Sequence, residues 1–104
     1  MGKFSRDKGY RAENKVVHIA QDHGLSSYRV PLSGGATIKG DVKVSNDTDE
    51  WTLEIKCRAN GFKTIYDWLE DEGNDVLVLK ADRKEYLAVL PLADFFDLLA
   101  GKHD

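Results

Sequence analysis

Residues 41–57 read Asp-Val-Lys-Val-Ser-Asn-Asp-Thr-Asp-Glu-Trp-Thr-Leu-Glu-Ile-Lys-Cys, two stretches of apolar–polar alternation around a polar turn. Period-two alternation marks a strand buried on one face, and a one-residue slip would turn its whole apolar set outward. The pattern predicts a hairpin of Ile38–Val44 and Trp51–Cys57. Val42, Val44, Trp51, Leu53, Ile55 and Cys57 then share the core face, and Asp41, Lys43, Thr52, Glu54 and Lys56 the other. If Val44 and Trp51 close the hairpin, antiparallel counting puts Asp41 directly opposite Glu54, with Lys56 two residues along. Opposed side chains have Cβ atoms about 4.5–5.5 Å apart, where like charges repel. A cation between the two carboxylates removes that penalty.

The remaining elements follow from period and punctuation. Ser5 is placed to cap a helix running to about Gln21, with Ala12, Val16, Ile19 and Ala20 at helical spacing and Gly24 as its stop. Ser27–Pro31 reads as a short strand and Ser33-Gly34-Gly35 as a flexible loop. A second helix is expected over about Lys63–Glu70, offering Ile65, Tyr66 and Leu69 to the core. Strands are expected at Asp75–Lys80 and Glu85–Leu90 around an Asp82-Arg83-Lys84 turn. Pro91 suits the first turn of a last helix, to about Ala100, with Gly101 past its end. The order α-β-β-β-α-β-β-α predicts an α/β (α+β) fold, a mixed central β-sheet flanked by helices.

With 104 residues, residues 1–104 are expected to form a single domain. No apolar run approaches the ~20 residues of a membrane span, and the Met-Gly-Lys-Phe-Ser start lacks a secretory hydrophobic region. The one cysteine, Cys57, cannot close an internal disulfide, which suits a reducing interior. The expected setting is therefore intracellular, cytoplasmic, with no membrane partner; a phage or prophage origin fits so compact a chain.

The net charge of −3 is unevenly spread. Residues 1–65 hold eleven Lys/Arg against eight Asp/Glu, or +3; residues 66–104 hold four against ten, or −6. A basic front and an acidic back are compatible with a local nucleic-acid footprint. Lys3, Arg6, Lys8, Arg11 and Lys15 cluster on the first helix, and Arg29, Lys39, Lys43, Arg58 and Lys63 fall near the hairpin. Such charges give backbone affinity without sequence preference. Ordinary solubility accounts for any single one equally well.

Asp41, Glu54 and Lys56 carry the chemistry. Cutting a phosphodiester needs an activated water, neutralisation of phosphate charge and support for the leaving oxygen. Mg²⁺ or Mn²⁺ on two carboxylates supplies the first two, the carbonyl of Ile55 is a third hard donor, and Lys56 stabilises developing charge. The competing reading is a solvated strand face of mixed charge. Glu13 adds to the first reading: it sits about 20° from Ala20 and about 40° from Val17 on a helical wheel, turned toward the apolar stripe. A carboxylate facing a sheet needs a partner, and a metal is one; a glutamate snorkelling to water is the other reading.

The series Lys8-Gly9-x-x-x-Glu13, Arg29-Val30-Pro31-Leu32-Ser33-Gly34-Gly35, Gly40-Asp41-Val42 and Glu54-Ile55-Lys56-Cys57 resembles the archaeal-type Holliday junction resolvases of the PD-(D/E)xK nuclease superfamily. The likeness covers roughly residues 5–90. It implies a restriction-endonuclease-like fold and a Mg²⁺/Mn²⁺-dependent endodeoxyribonuclease that resolves four-way junctions as a homodimer. By resemblance, Glu13, Asp41 and Glu54 are metal-associated acids, Lys56 is the catalytic lysine, Arg11 and Arg29 contact phosphate, and Ser33 reaches the site from a mobile loop. Gly40 stands where the family has proline. A flap, nicking or restriction-like nuclease is the alternative, as is a catalytically inactive DNA-binding module of the same fold.

The histidines lack metal-ligand spacing and read as surface or capping groups. Cys57 reads as a small core hydrophobe. Trp51, Trp68, Phe95 and Phe96 read as core or subunit packing, with Leu92, Phe95, Phe96 and Leu99 a candidate subunit contact.

Overall fold

The computed structural model describes residues 2–31 and 40–101, with backbone only for residues 2–8 and Glu72. Helix α1 (Gly2–Asp22) opens the chain. It starts three residues before Ser5, so Ser5 lies within the helix and not at its cap; nothing in Gly2-Lys3-Phe4 breaks helical backbone. Its other end is closed as expected. Gly24 takes φ +81°, and the amides of Gly24 and Leu25 return to the carbonyls of Gln21 (2.9 Å) and Ala20 (3.1 Å). This is the paired capping of a left-handed glycine terminus. His23 adds a side-chain cap, its Nδ1 lying 2.7 Å from the Ile19 carbonyl.

Strands β1 (Ser26–Arg29), β2 (Val42–Ser45) and β3 (Glu50–Leu53) form an antiparallel sheet in that order. Val44 pairs with Trp51, the register the alternation demanded. The turn is built by Asn46, whose Oδ1 accepts from the amides of Thr48 (2.9 Å) and Asp49 (2.8 Å). An asparagine side chain mimicking backbone in this way holds a tight turn without glycine. Val42 and Val44 are fully buried and share one core cluster with Val17, Ala20, Leu25 and Phe96, so α1 and the last helix, α3 (Leu92–Leu99), cover the apolar side of the hairpin. Asn46 Nδ2 also donates to the Leu99 carbonyl at 2.8 Å, tying the hairpin turn to the end of α3.

The later elements are where expected but are held more loosely. Helix α2 (Lys63–Glu70) buries none of its residues, and Tyr66, expected in the core, is exposed. A 3₁₀ turn at Asp71–Gly73 leads to β4 (Leu77–Leu79) and β5 (Leu87–Val89), an antiparallel pair. Among the described residues the expected single mixed sheet is not seen: their strands make one three-stranded and one two-stranded antiparallel sheet, with no parallel pair. Strand β3 stops at Leu53, and a cleft of about 550 Å³ lies between its end and the Ala88–Leu90 segment. Cys57 is exposed for the same reason, since the alternation that would turn it inward ends with the strand. Among the described residues, no helix is long and apolar enough to cross a membrane.

Phe96 fills the junction of α1, α3 and the hairpin with no exposed surface. Phe96→Ala should lower the unfolding free energy by about 3–5 kcal/mol, whereas Thr64→Ala on exposed α2 should change it by less than about 0.5 kcal/mol. Urea denaturation of the two variants checks both.

Candidate functional site at the open end of the hairpin

Asp41 sits just before β2, locked on both sides. Its carbonyl accepts from the Val30 amide (2.9 Å), and its own amide donates to the Leu53 carbonyl (2.8 Å). Leu53 is, however, the register partner of Val42, so the ladder slips by one residue at Asp41. Gly40 makes the slip feasible. Its φ is +87°, and a Cβ there would overlap the Thr52 methyl and come within 3.3 Å of the Leu53 carbonyl. A proline, fixed near φ −65°, cannot take this conformation. The glycine in the motif therefore shapes the approach to Asp41 differently from the proline of the family it resembles.

The slip also resolves the like-charge problem. Asp41 and Glu54 are not matched as a ladder pair. The Asp41 Oδ2 reaches across to accept from the Ile55 amide at 2.7 Å, and Glu54 Oε2 lies 3.2 Å from Lys56 Nζ. One carboxylate thus has a backbone donor and the other an ammonium group. The first contact is half-buried and charge-assisted, the stronger kind. Glu54 and Lys56 are both more than half exposed, so their attraction is screened by water.

Glu13 faces the sheet, as its wheel position requires, and its partner there is Arg29. Arg29 Nε donates to Glu13 Oε1 at 3.0 Å, with both side chains less than a quarter exposed. Tyr10, one turn earlier on the same face of α1, lays its ring 3.7 Å from the Arg29 guanidinium carbon. The sequence reading passed over Tyr10; its i, i+3 spacing to Glu13 was the available signal.

The trio of acids is therefore only partly assembled. Among the described residues, no three His, Cys, Asp or Glu side chains stand close enough together to hold a metal ion. Asp41, Glu54 and the Ile55 carbonyl still offer the hard oxygen donors that Mg²⁺ or Mn²⁺ prefers. Glu13 would have to leave Arg29 to join them.

The expected DNA contacts divide in the same way. Arg11 and Arg58 are exposed, Arg58 on the irregular segment after β3. Lys63 is exposed but bonded to Asp67 at 2.7 Å, a hydrogen bond and opposite charge that raise its pKa. Ser33 and Lys39 lie outside the described residues, as does the side chain of Lys8.

Gly40→Pro would copy the proline of the family the sequence resembles, yet should destabilise the protein by about 2–3 kcal/mol. Thermal unfolding decides this; a neutral or stabilising effect would refute the reading of Gly40. Compared with protein-family models, curated proteins and solved structures, the chain matches none of them, so the family resemblance rests on its motif residues alone.

Proposed function

We propose that the chain is a Mg²⁺/Mn²⁺-dependent endonuclease of the PD-(D/E)xK type that cuts branched DNA, four-way junctions foremost, inside the cell. The observation that carries this is the Asp41 carboxylate bonded to the Ile55 amide, with the Glu54–Lys56 pair beside it at the same end of the hairpin. The element order α-β-β-β-α-β-β-α agrees with a restriction-endonuclease-like fold.

Asp41, Glu54 and the Ile55 carbonyl would hold the metal, which supplies Lewis-acid polarisation of the phosphate and activation of the attacking water. The chain's own part is positional. The Ile55 amide holds Asp41 in one rotamer, and the backbone bonds to Val30 and Leu53 hold the strand beneath it. Lys56, which pairs with Glu54 at 3.2 Å, would be the group to stabilise charge building on the phosphate oxygens if Glu54 held the metal.

Homodimerisation belongs to the same reading, but not through the Leu92, Phe95, Phe96 and Leu99 stripe, which packs into the core of its own chain with Phe96 fully buried. The β4–β5 hairpin shows Val78, Tyr86 and Leu87 well exposed, and an isolated two-stranded hairpin is marginal in water without a covering layer. An inactive DNA-binding module is the second reading, favoured by the engagement of Glu13 with Arg29.

Incubation with labelled four-way junctions, flaps and linear duplexes in Mn²⁺ tests the assignment. Junction cleavage is expected, with Lys56→Ala slower by about 100-fold or more. Flap cleavage alone would make it a flap nuclease, and binding without turnover in any divalent metal would leave the inactive module. Sedimentation at micromolar concentration should show a dimer that Leu87→Lys converts to monomer; a monomeric wild type would refute the dimer.

A further inference from the structure

We infer that Tyr10 and Glu13 act as positioning residues that preset the Arg29 guanidinium as a receptor for a nucleic-acid phosphodiester. The inference rests on the nucleic-acid part of the proposed function, in which Arg29 meets phosphate by resemblance, and adds the positioning roles of Tyr10 and Glu13, giving Glu13 a partner other than a metal. Three contacts fix Arg29. Its backbone is in β1, paired with Val42, the residue after Asp41. Glu13 takes the Nε–H at 3.0 Å, and the Tyr10 ring covers one face of the guanidinium at 3.7 Å. The N–H groups on the two terminal nitrogens have no hydrogen-bond partner among the described residues.

A free arginine side chain loses many rotamers on binding; a guanidinium already stacked and bonded loses few. Its terminal edge presents parallel donors that match the two non-bridging oxygens of a phosphodiester. A lysine cannot substitute, having neither the planar face for Tyr10 nor the fork for the ligand. Glu13 lowers the net charge of the cluster, which favours a ligand that meets the fork geometrically over one attracted by charge alone. Arg29 stands one strand from Asp41, so a diester held there lies along the same sheet end as the Asp41–Glu54–Lys56 group.

The test reads Arg29 directly. In ¹H–¹⁵N spectra of the full chain in EDTA, the Arg29 Nε–H resonance should be resolved and should shift on addition of a short linear duplex. Inorganic phosphate should shift it in the same sense at much higher concentration. Tyr10→Leu should weaken duplex binding about three- to tenfold with an unchanged thermal midpoint, and Tyr10→Phe, which keeps the ring, should restore it. Arg29→Lys should lose as much affinity as Arg29→Ala, an arm that stands even if Tyr10→Leu does not fold. An Arg29 resonance indifferent to duplex, whether or not phosphate moves it, or a Tyr10→Leu protein binding like wild type, overturns the inference. Failure of cleavage with Arg29 still responding would remove the nuclease reading and leave this one; cleavage with Arg29 silent would do the reverse.

Discussion

Burial of Val42 and Val44 beneath α1 and α3 is the contact on which the rest of the structure depends. Both side chains are fully removed from water, and the side-chain period of a strand ties every neighbour to them. With those two valines inward, Lys43 must look out, Trp51 must stand across from Val44, and the hairpin must open at Asp41 and Leu53. The candidate site is thus a by-product of core packing: its carboxylates sit where the apolar alternation runs out.

The same constraint explains what was legible in the residues. The alternation from Asp41 to Ile55 and the six polar turn residues gave the register, and Pro91, Gly24 and Gly101 marked helix ends where the structure has them. Helix α2 falls on its expected span because its apolar positions have only one helical phase. The arrangement of the second half was not legible. Leu77, Leu79 and Val89 satisfy a hairpin and a central strand equally well, and pattern alone does not say which edge a strand will join. Cys57 illustrates the limit: its parity was right, but parity means nothing once the strand has ended at Leu53.

At the site, sequence reasoning found the charged residues and misjudged their pairing. Counting along ideal strands placed Asp41 against Glu54, whereas Gly40 introduces a one-residue slip that no count of side chains reveals. Glu13 was read as facing inward, and it does; its neighbour was not deducible, because Arg29 lies sixteen residues away on another element. Tyr10 carries only the weak signal of its i, i+3 spacing to Glu13, because an exposed aromatic on a helix has no evident role until a guanidinium is found against its ring.

The hydrogen bond from Asn46 to the Leu99 carbonyl spans 53 residues of sequence. It couples the first sheet to the final helix, so the order in which the chain is synthesised matters. During translation the β2–β3 ribbon emerges with only α1 at hand to cover its apolar side, and Phe96 and the Asn46 clasp reach it only once α3 has left the ribosomal tunnel. Until then, the part of the core that α3 later covers is open to chaperones and to other nascent chains.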